Sequence, residues 1–132
     1  FKTLRFGLES FDKNIQKKAD INTVITGIGH LKKAGFTKKE IGFYVLLLPD
    51  IDLDKTEEAI RLLKSLEVNV HLNVYSPVPG TPDYIRFAKI YPEIAAEPLL
   101  HNDSVFYRKY GIFSENWIRE LKADIRGYNS LE

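Results

Sequence analysis

The sequence predicts an α/β fold in which three parallel strands alternate with two helices, followed by a helical extension. Its patterns run in the order strand, helix, strand, helix, strand, which favours parallel pairing with right-handed crossovers. Ile41–Leu48 is almost continuously apolar, as expected for a parallel strand covered on both faces. The 132 residues are 44% hydrophobic and 28% charged, a composition typical of a folded globular domain.

The first strand and the first helix are predicted within residues 3–35. Thr3–Leu8 is rich in β-favouring residues, and one helical turn is expected over Lys13–Lys17. Asp20 is a suitable N-cap for the helix, and Gly35 is placed to end it. The apolar residues between them recur at helical spacing and form one predicted face: Ile21, Val24, Ile25, Ile28 and Leu31.

The second helix and the third strand follow Ile41–Leu48. Asp54 and Glu57 have the spacing of a capping box, which places a helix start at Asp54. The buried face of this helix is predicted to consist of Ala59, Ile60, Leu62, Leu63 and Leu66. The third strand is predicted from the alternation of Val68, Val70, Leu72 and Val74 with Asn69, His71 and Asn73.

The last third of the chain is predicted to be helical and irregular. A short helix is expected over Asp83–Ile90, because Thr81 followed by Pro suits a helix start. Residues 92–104 read as irregular, and a last helix is expected over about Glu115–Arg126, ended by Gly127. Its packing face is predicted to be Trp117, Ile118, Leu121 and Ile125.

Composition excludes several classes of function. The net charge of +1, with acids and bases interspersed, gives no electrostatic basis for binding nucleic acid or an anionic membrane. The longest apolar run, Phe43–Leu48, is far too short to span a bilayer. The chain has no cysteine, which removes disulfides, thiolate ligands and thiol nucleophiles and fits a cytoplasmic protein.

Three unusual segments are predicted to follow the ends of the three strands. Gly7-Leu8-Glu9-Ser10 closes the first strand, Leu48-Pro49-Asp50 the second and Ser76–Pro82 the third. Ligands of parallel α/β folds gather at the carboxyl ends of the strands. We therefore expect all three segments on one rim, which is the strongest functional indication from the residues alone.

Three motifs follow one another in this chain: Gly7-Leu8-Glu9-Ser10, Lys32-Lys33-Ala34-Gly35 and Ser76-Pro77-Val78-Pro79-Gly80-Thr81-Pro82. In that order and spacing they resemble the second half of a radical S-adenosylmethionine (SAM) barrel, especially in the methylthiotransferase and cobalamin-binding subgroups. The resemblance implies a partial parallel βα barrel of three strands with crossover helices, plus a C-terminal helical extension. Residues 1–83 are then the C-terminal half of the barrel and 84–130 the extension, while 131–132 are interpreted as a vector scar.

The resemblance also implies which residues bind the cofactor. Glu9 and Ser10 would lie near the ribose or the amino-acid end of SAM, where a carboxylate and a hydroxyl suit hydroxyl and ammonium groups. The loop near adenine would supply Ser76, Pro77, Gly80 and Thr81. Two alternatives stay open from the residues alone. Ser10 could cap the next turn while Glu9 pairs with Arg5 or a lysine, and the loop could be only a rigid proline turn.

One turn departs from the family pattern. Where the family has Gly-Leu-Pro-Gly, this chain has Leu47-Leu48-Pro49-Asp50, so both glycines that would let the backbone approach the cofactor are lost. This departure puts a SAM contact at that turn in doubt.

Polar residues on the third strand are the candidates for substrate contact. His71 and Asn73 share a face with Asn69 and are expected to face a barrel lumen, with solvent as the alternative. The three histidines are widely separated, with no two at metal-ligand spacing, so no metal site is expected in this chain.

The resemblance therefore implies a C-terminal fragment of a radical SAM enzyme. A Cys-x-x-x-Cys-x-x-Cys loop preceding Phe1 would hold the 4Fe–4S cluster that cleaves SAM, and the resulting deoxyadenosyl radical would abstract hydrogen from a substrate. No catalytic residue is identified, and the fragment alone is expected to bind no cofactor stably and to be inactive. Its expected partners are the rest of its own barrel, an unknown substrate, and itself through exposed strand edges. The alternatives are a non-catalytic α/β module for protein interaction or small-ligand binding, and a piece of another parallel barrel.

Overall fold

The computed structural model describes residues 3–9 and 20–131. Within them, β1 (Leu4–Glu9), β2 (Ile41–Leu47) and β3 (Asn69–Val74) form one parallel sheet in the order β1-β2-β3. The α/β class and the parallel pairing are confirmed. The sheet is open, and the partial barrel stays a prediction. The turn expected over Lys13–Lys17 lies outside the described residues.

The helices alternate with the strands and then follow them. The described α-helices are α1 (Ile21–Lys33), α2 (Leu53–Ser65), α3 (Pro82–Ile90), α4 (Asp103–Tyr110) and α5 (Glu115–Ser130). Short 3₁₀ helices span Lys38–Glu40, Pro92–Ala95 and Pro98–His101. In the described part of the chain, no helix is both long and apolar enough to cross a membrane.

The two helices predicted between the strands form, with one start and part of one face corrected. The Asp20 carboxylate accepts from Thr23 N (2.8 Å) at the start of α1, and Gly35, with φ +97°, follows its end. Ile21 and Ile25 are 41% and 39% exposed, because they flank the narrower stripe that α1 buries.

The start of α2 was predicted wrongly. Asp52, not Asp54, is the N-cap, since its carboxylate accepts from Asp54 N (2.9 Å). Asp54 already lies inside α2, so its spacing to Glu57 forms no capping box. The Glu57 carboxylate instead accepts from Trp117 Nε1 (3.2 Å) on α5.

The core divides into two hydrophobic clusters. One packs the apolar face of the sheet, including Phe43, Val45 and Val70, against α1, α2 and α5. The other lies towards the carboxyl ends of β2 and β3, where Phe87 of α3 and Phe106 of α4 are both fully buried. The second cluster holds the segment after β3 in place.

The sequence prediction missed α4 and ended α5 too early. Asn102 caps α4 through its side chain (Val105 N to Oδ1, 3.3 Å), and Gly111, with φ +58°, ends it. Gly127 lies inside α5, which continues to Ser130.

The last turn of α5 covers one position on the open edge of β3. Asn129 Oδ1 accepts from Val70 N (3.0 Å), and Asn129 Nδ2 donates to Val70 O (2.7 Å). Tyr128 OH donates to Val68 O (2.9 Å). These tertiary contacts extend α5 beyond its glycine.

Candidate functional site

A cavity of about 530 Å³ opens at the carboxyl end of β3. Its polar lining consists of Asn73 on β3, Ser76 and Thr81 in the following loop, Asp83 at the start of α3, Asp103 on α4 and Lys122 on α5. Asn73 and Ser76 make no side-chain hydrogen bond in the described part of the chain. The cavity therefore offers amide and hydroxyl groups that the fold itself does not use.

The loop between β3 and α3 is shaped by its own residues. Gly80 has φ +85°, a conformation that side-chain-bearing residues rarely adopt. Thr81 Oγ1 donates to Val78 O (2.8 Å) and accepts from Tyr84 N (3.2 Å), so it closes the turn and caps α3. Pro82 occupies the first helical position, as predicted.

Tyr75 is among the residues that line this cavity, but its ring packs against Phe87 with centroids 5.1 Å apart. The side chain is only 7% exposed, and its buried hydroxyl has no hydrogen-bond partner in the described residues. Burial, followed by the nearby Asp83 carboxylate, raises the pKa of Tyr75 to about 12. The group is therefore a neutral phenol at physiological pH, and buried polar groups without partners are uncommon in native structures.

The loops after β2 and β3 are tied together by one arginine. Arg86 of α3 pairs with Asp50, which follows β2, and with Asp83 (3.0 Å). The predicted rim is thus continuous between these two strand ends. The same pairing occupies the Asp50 carboxylate.

The turn at the end of β2, Leu47-Leu48-Pro49-Asp50, packs into the core at its start. Leu47 is fully buried, and its carbonyl accepts from Tyr75 N (2.9 Å) and Tyr107 OH (3.2 Å). Its side chain packs into the second hydrophobic cluster.

The predicted cofactor residues are only partly brought together. Ser76 and Thr81 line the cavity, whereas Pro77 is buried and Gly80 is exposed, and neither lines it. Glu9 ends β1, which parallel pairing places on the same rim, and Ser10 lies outside the described residues.

The predicted substrate residues separate in the same way. Asn73 lines the cavity, and His71 lies deeper on the same face of β3. There the Tyr44 and His71 rings are 5.1 Å apart, and Arg5 Nη1 donates to Tyr44 OH (2.9 Å). Burial, followed by repulsion from Arg5, lowers the pKa of His71.

A second cavity, which we call the α4–α5 groove, was not predicted from the sequence. It has a volume of about 320 Å³ and lies between α4 and α5 beside the edge of β3. Its basic residues on α5 are Arg119, Lys122 and Arg126. Their spacing of three and four along a predicted helix was a usable signal for one basic face. The position of that face beside β3 could not be predicted from the sequence.

Neither cavity offers a cluster of metal ligands. In residues 3–9 and 20–131, no group of three or more His, Asp or Glu side chains could hold a metal ion. The whole chain also lacks cysteine. An iron–sulfur cluster therefore does not fit the residues of this chain.

Comparison of the chain with protein-family models, curated proteins and solved structures finds no match.

Proposed function

We propose that this chain is the C-terminal half of a radical SAM barrel and supplies part of the SAM-binding wall. The observation that carries the proposal is the rim at the carboxyl ends of three parallel, neighbouring strands, with unpaired polar side chains in its cavity. The ordered motifs ending in Ser76–Pro82 support the same assignment.

The chemistry of the cavity fits SAM. The Asp83 carboxylate, whose Oδ1 accepts from Arg86, and the Thr81 hydroxyl can each accept a further hydrogen bond from an ammonium or ribose hydroxyl group. Asn73 and Ser76 can both donate and accept, since neither side chain is hydrogen-bonded in the described residues. We propose that the adenine end lies along the loop of Ser76.

The cluster must come from elsewhere, because this chain has no thiolate to ligate iron. SAM bound beside a reduced 4Fe–4S cluster supplies hydrogen abstraction, and this chain's contribution is binding and orientation. We propose that a three-cysteine loop in another part of the same polypeptide holds the cluster.

The polar face of the sheet supports a lumen in the proposed barrel. Tyr44, His71 and Asn73 project on the face opposite the one that α1 and α2 cover. In a closed or partial βα barrel, the face away from the helices is the interior. We therefore propose that His71 and Asn73 face substrate.

The edge of β1 supports pairing with the rest of the barrel. Among the described strands β1 pairs with β2 alone, and Phe6 on β1 is 40% exposed. An apolar cavity of about 440 Å³ lies between β1 and α1 and is lined in part by Phe6, Val24 and Ile28. An exposed apolar edge of this kind favours pairing with another strand, or self-association when that strand is missing.

SAM binding by the whole polypeptide tests the proposal. After anaerobic cluster reconstitution, we expect saturable SAM binding in equilibrium dialysis, weakened at least about tenfold by N73A/S76A because two uncompensated hydrogen-bond partners are removed. These substitutions should leave the fold intact, since neither side chain is hydrogen-bonded within the described chain.

N116A/S65A is the matched control, because it removes the same two residue types from exposed positions that line neither cavity. It should bind SAM as the parent does. A cluster-loaded protein that does not bind SAM refutes the proposal. Binding that N73A/S76A leaves unchanged refutes the assigned wall, and SAM-independent binding of another small ligand at this cavity favours the non-catalytic module.

A further inference from the structure

We propose that the α4–α5 groove binds a small organic anion, whose charged group contacts α5 and whose apolar body lies against Phe113 and Ile118. This anion would be a substrate of the proposed enzyme. Only its role as a substrate rests on the proposed function, whereas its binding in the groove does not.

The charge balance of the groove supports an anionic ligand. Four cations and two carboxylates line the groove, which gives it a net charge of +2. Asp103 Oδ1 accepts from Ser104 N (2.6 Å), and Glu115 compensates Arg108 on α4 (Nε to Oε1, 2.9 Å). Arg119, Lys122 and Arg126 have no ion-pair or hydrogen-bond partner in the described part of the chain, and all three line the groove. Three like charges on one helix face repel one another, and a bound anion would relieve that repulsion.

The type of cation indicates the type of anion. Two of the three unpaired cations are arginines, whose planar guanidinium binds carboxylate or phosphate through two parallel hydrogen bonds. An arginine stripe on an ordinary solvated face would have open water on all sides. Here Arg119 and Arg126 share their cavity with the opposing helix α4 and with β3.

The remaining walls fit an apolar body. Val74, Tyr107, Phe113 and Ile118 line the groove together with the cations. The Tyr107 and Phe113 rings stack with centroids 5.1 Å apart, which fixes one wall. A site with apolar walls and a few convergent charges is typical of small-molecule binding.

The edge of β3 adds backbone groups to this site. Asn129 bonds the N–H and C=O of Val70, which point away from the sheet. Groups alternate in direction along a parallel strand, so the N–H and C=O of Val74 point the same way, towards the groove. They are available to a polar group of the ligand.

The groove continues into the cavity at the end of β3. Val74, Asp103 and Lys122 line both cavities, so a ligand in the groove reaches the candidate SAM site past Lys122. An anion anchored on α5 would therefore present its far end to the rim.

Titration of the chain with phenyl phosphate and with benzoate, followed by amide NMR, tests the inference. We expect at least one probe to shift the amides of Val74 and of residues 115–126, and to bind at least about tenfold more tightly than benzyl alcohol or inorganic phosphate. R119Q/R126Q should raise the Kd of that probe at least about tenfold, because two charge-assisted contacts are lost.

R61Q/K89Q is the matched control, since it removes two positive charges from exposed positions that line neither cavity. It should change Kd by less than about twofold through long-range charge alone. Glutamine is a good helix former, so α5 should persist in R119Q/R126Q, and a thermal melt verifies this.

Three results would overturn the inference: both organic anions binding no better than benzyl alcohol, inorganic phosphate binding equally well, or both double variants weakening binding alike. This test needs neither SAM nor a cluster. Anion binding in the groove together with failure of SAM binding would therefore refute the proposed function and leave the groove assignment standing.

Discussion

Asn129→Ala should destabilise the protein markedly, because this single side chain covers the open edge of β3 with two hydrogen bonds. The bonds join Asn129 to the N–H and C=O of Val70 at 3.0 and 2.7 Å, and the Val70 side chain is fully buried. Each net hydrogen bond contributes about 1 kcal/mol, and an unpaired buried group costs about 1–3 kcal/mol. Alanine has a higher helix propensity than asparagine by roughly 0.5 kcal/mol, so the free energy of unfolding should fall by about 2 kcal/mol in total.

Urea unfolding followed by circular dichroism measures this loss, and hydrogen exchange of the Val70 amide locates it. Asn116→Ala is the matched control, because Asn116 lies exposed on the same helix and should gain a few tenths of a kcal/mol or stay neutral. A difference of less than about 0.5 kcal/mol between N129A and N116A, or an equally protected Val70 amide in N129A, would refute the assigned role of Asn129.

Three further predictions concern titration and packing. The pKa of His71 is lowered by burial and by Arg5, so Arg5→Gln should raise that pKa in an NMR titration. Because His71 is neutral when folded, the stability of the folded protein should fall as the pH drops below about 6.5. An unchanged His71 pKa in R5Q would contradict the role of Arg5. Hydrogen bonds from the backbone and then the side chain of Thr37 lower the pKa of Glu40. The contribution of Glu40 to folding stability is therefore present above about pH 4.5 and is lost as the pH falls through the folded pKa. Glu40→Gln should abolish that part of the pH dependence, measured by urea unfolding at stepped pH. Phe87→Ala should cost about 3–5 kcal/mol because the ring is fully buried, whereas Ile85→Ala on the same helix, 58% exposed, should cost under about 1 kcal/mol; equal costs would contradict the assigned core.

Local signals in the sequence predicted most of the α/β unit. Asp20 and Thr81 act as caps where expected, and the alternation of residues 68–74 marks β3. These features depend on residues that are close in the sequence, which is why they could be predicted. The continuous apolar run of β2 also identified a buried parallel strand.

The errors have different causes. Helix α5 passes Gly127 because Tyr128 and Asn129 bind distant backbone groups. The start of α2 was misplaced because Asp52, two residues before Asp54, is the residue that caps the helix. Helix α4 was missed because its buried residues, Phe106 and Tyr107, are aromatic within a short segment rather than an aliphatic stripe.

Part of the candidate site could be predicted from the sequence. Parallel strand order placed the strand-end segments on one rim, and Asn73, Ser76 and Thr81 do line one cavity. The basic stripe on α5 could have been noticed from its spacing. Its position opposite Val74 depends on how α5 crosses the sheet edge, which no local pattern encodes.

The position of bound SAM on this chain tests the proposed SAM-binding wall most directly. The whole cluster-loaded polypeptide is photo-crosslinked with 8-azido-SAM and its tryptic peptides are mapped by mass spectrometry. We predict adenine labelling of the peptide spanning residues 65–86, within Ser76–Thr81, and competition by unlabelled SAM. Competable labelling confined to other peptides would contradict it.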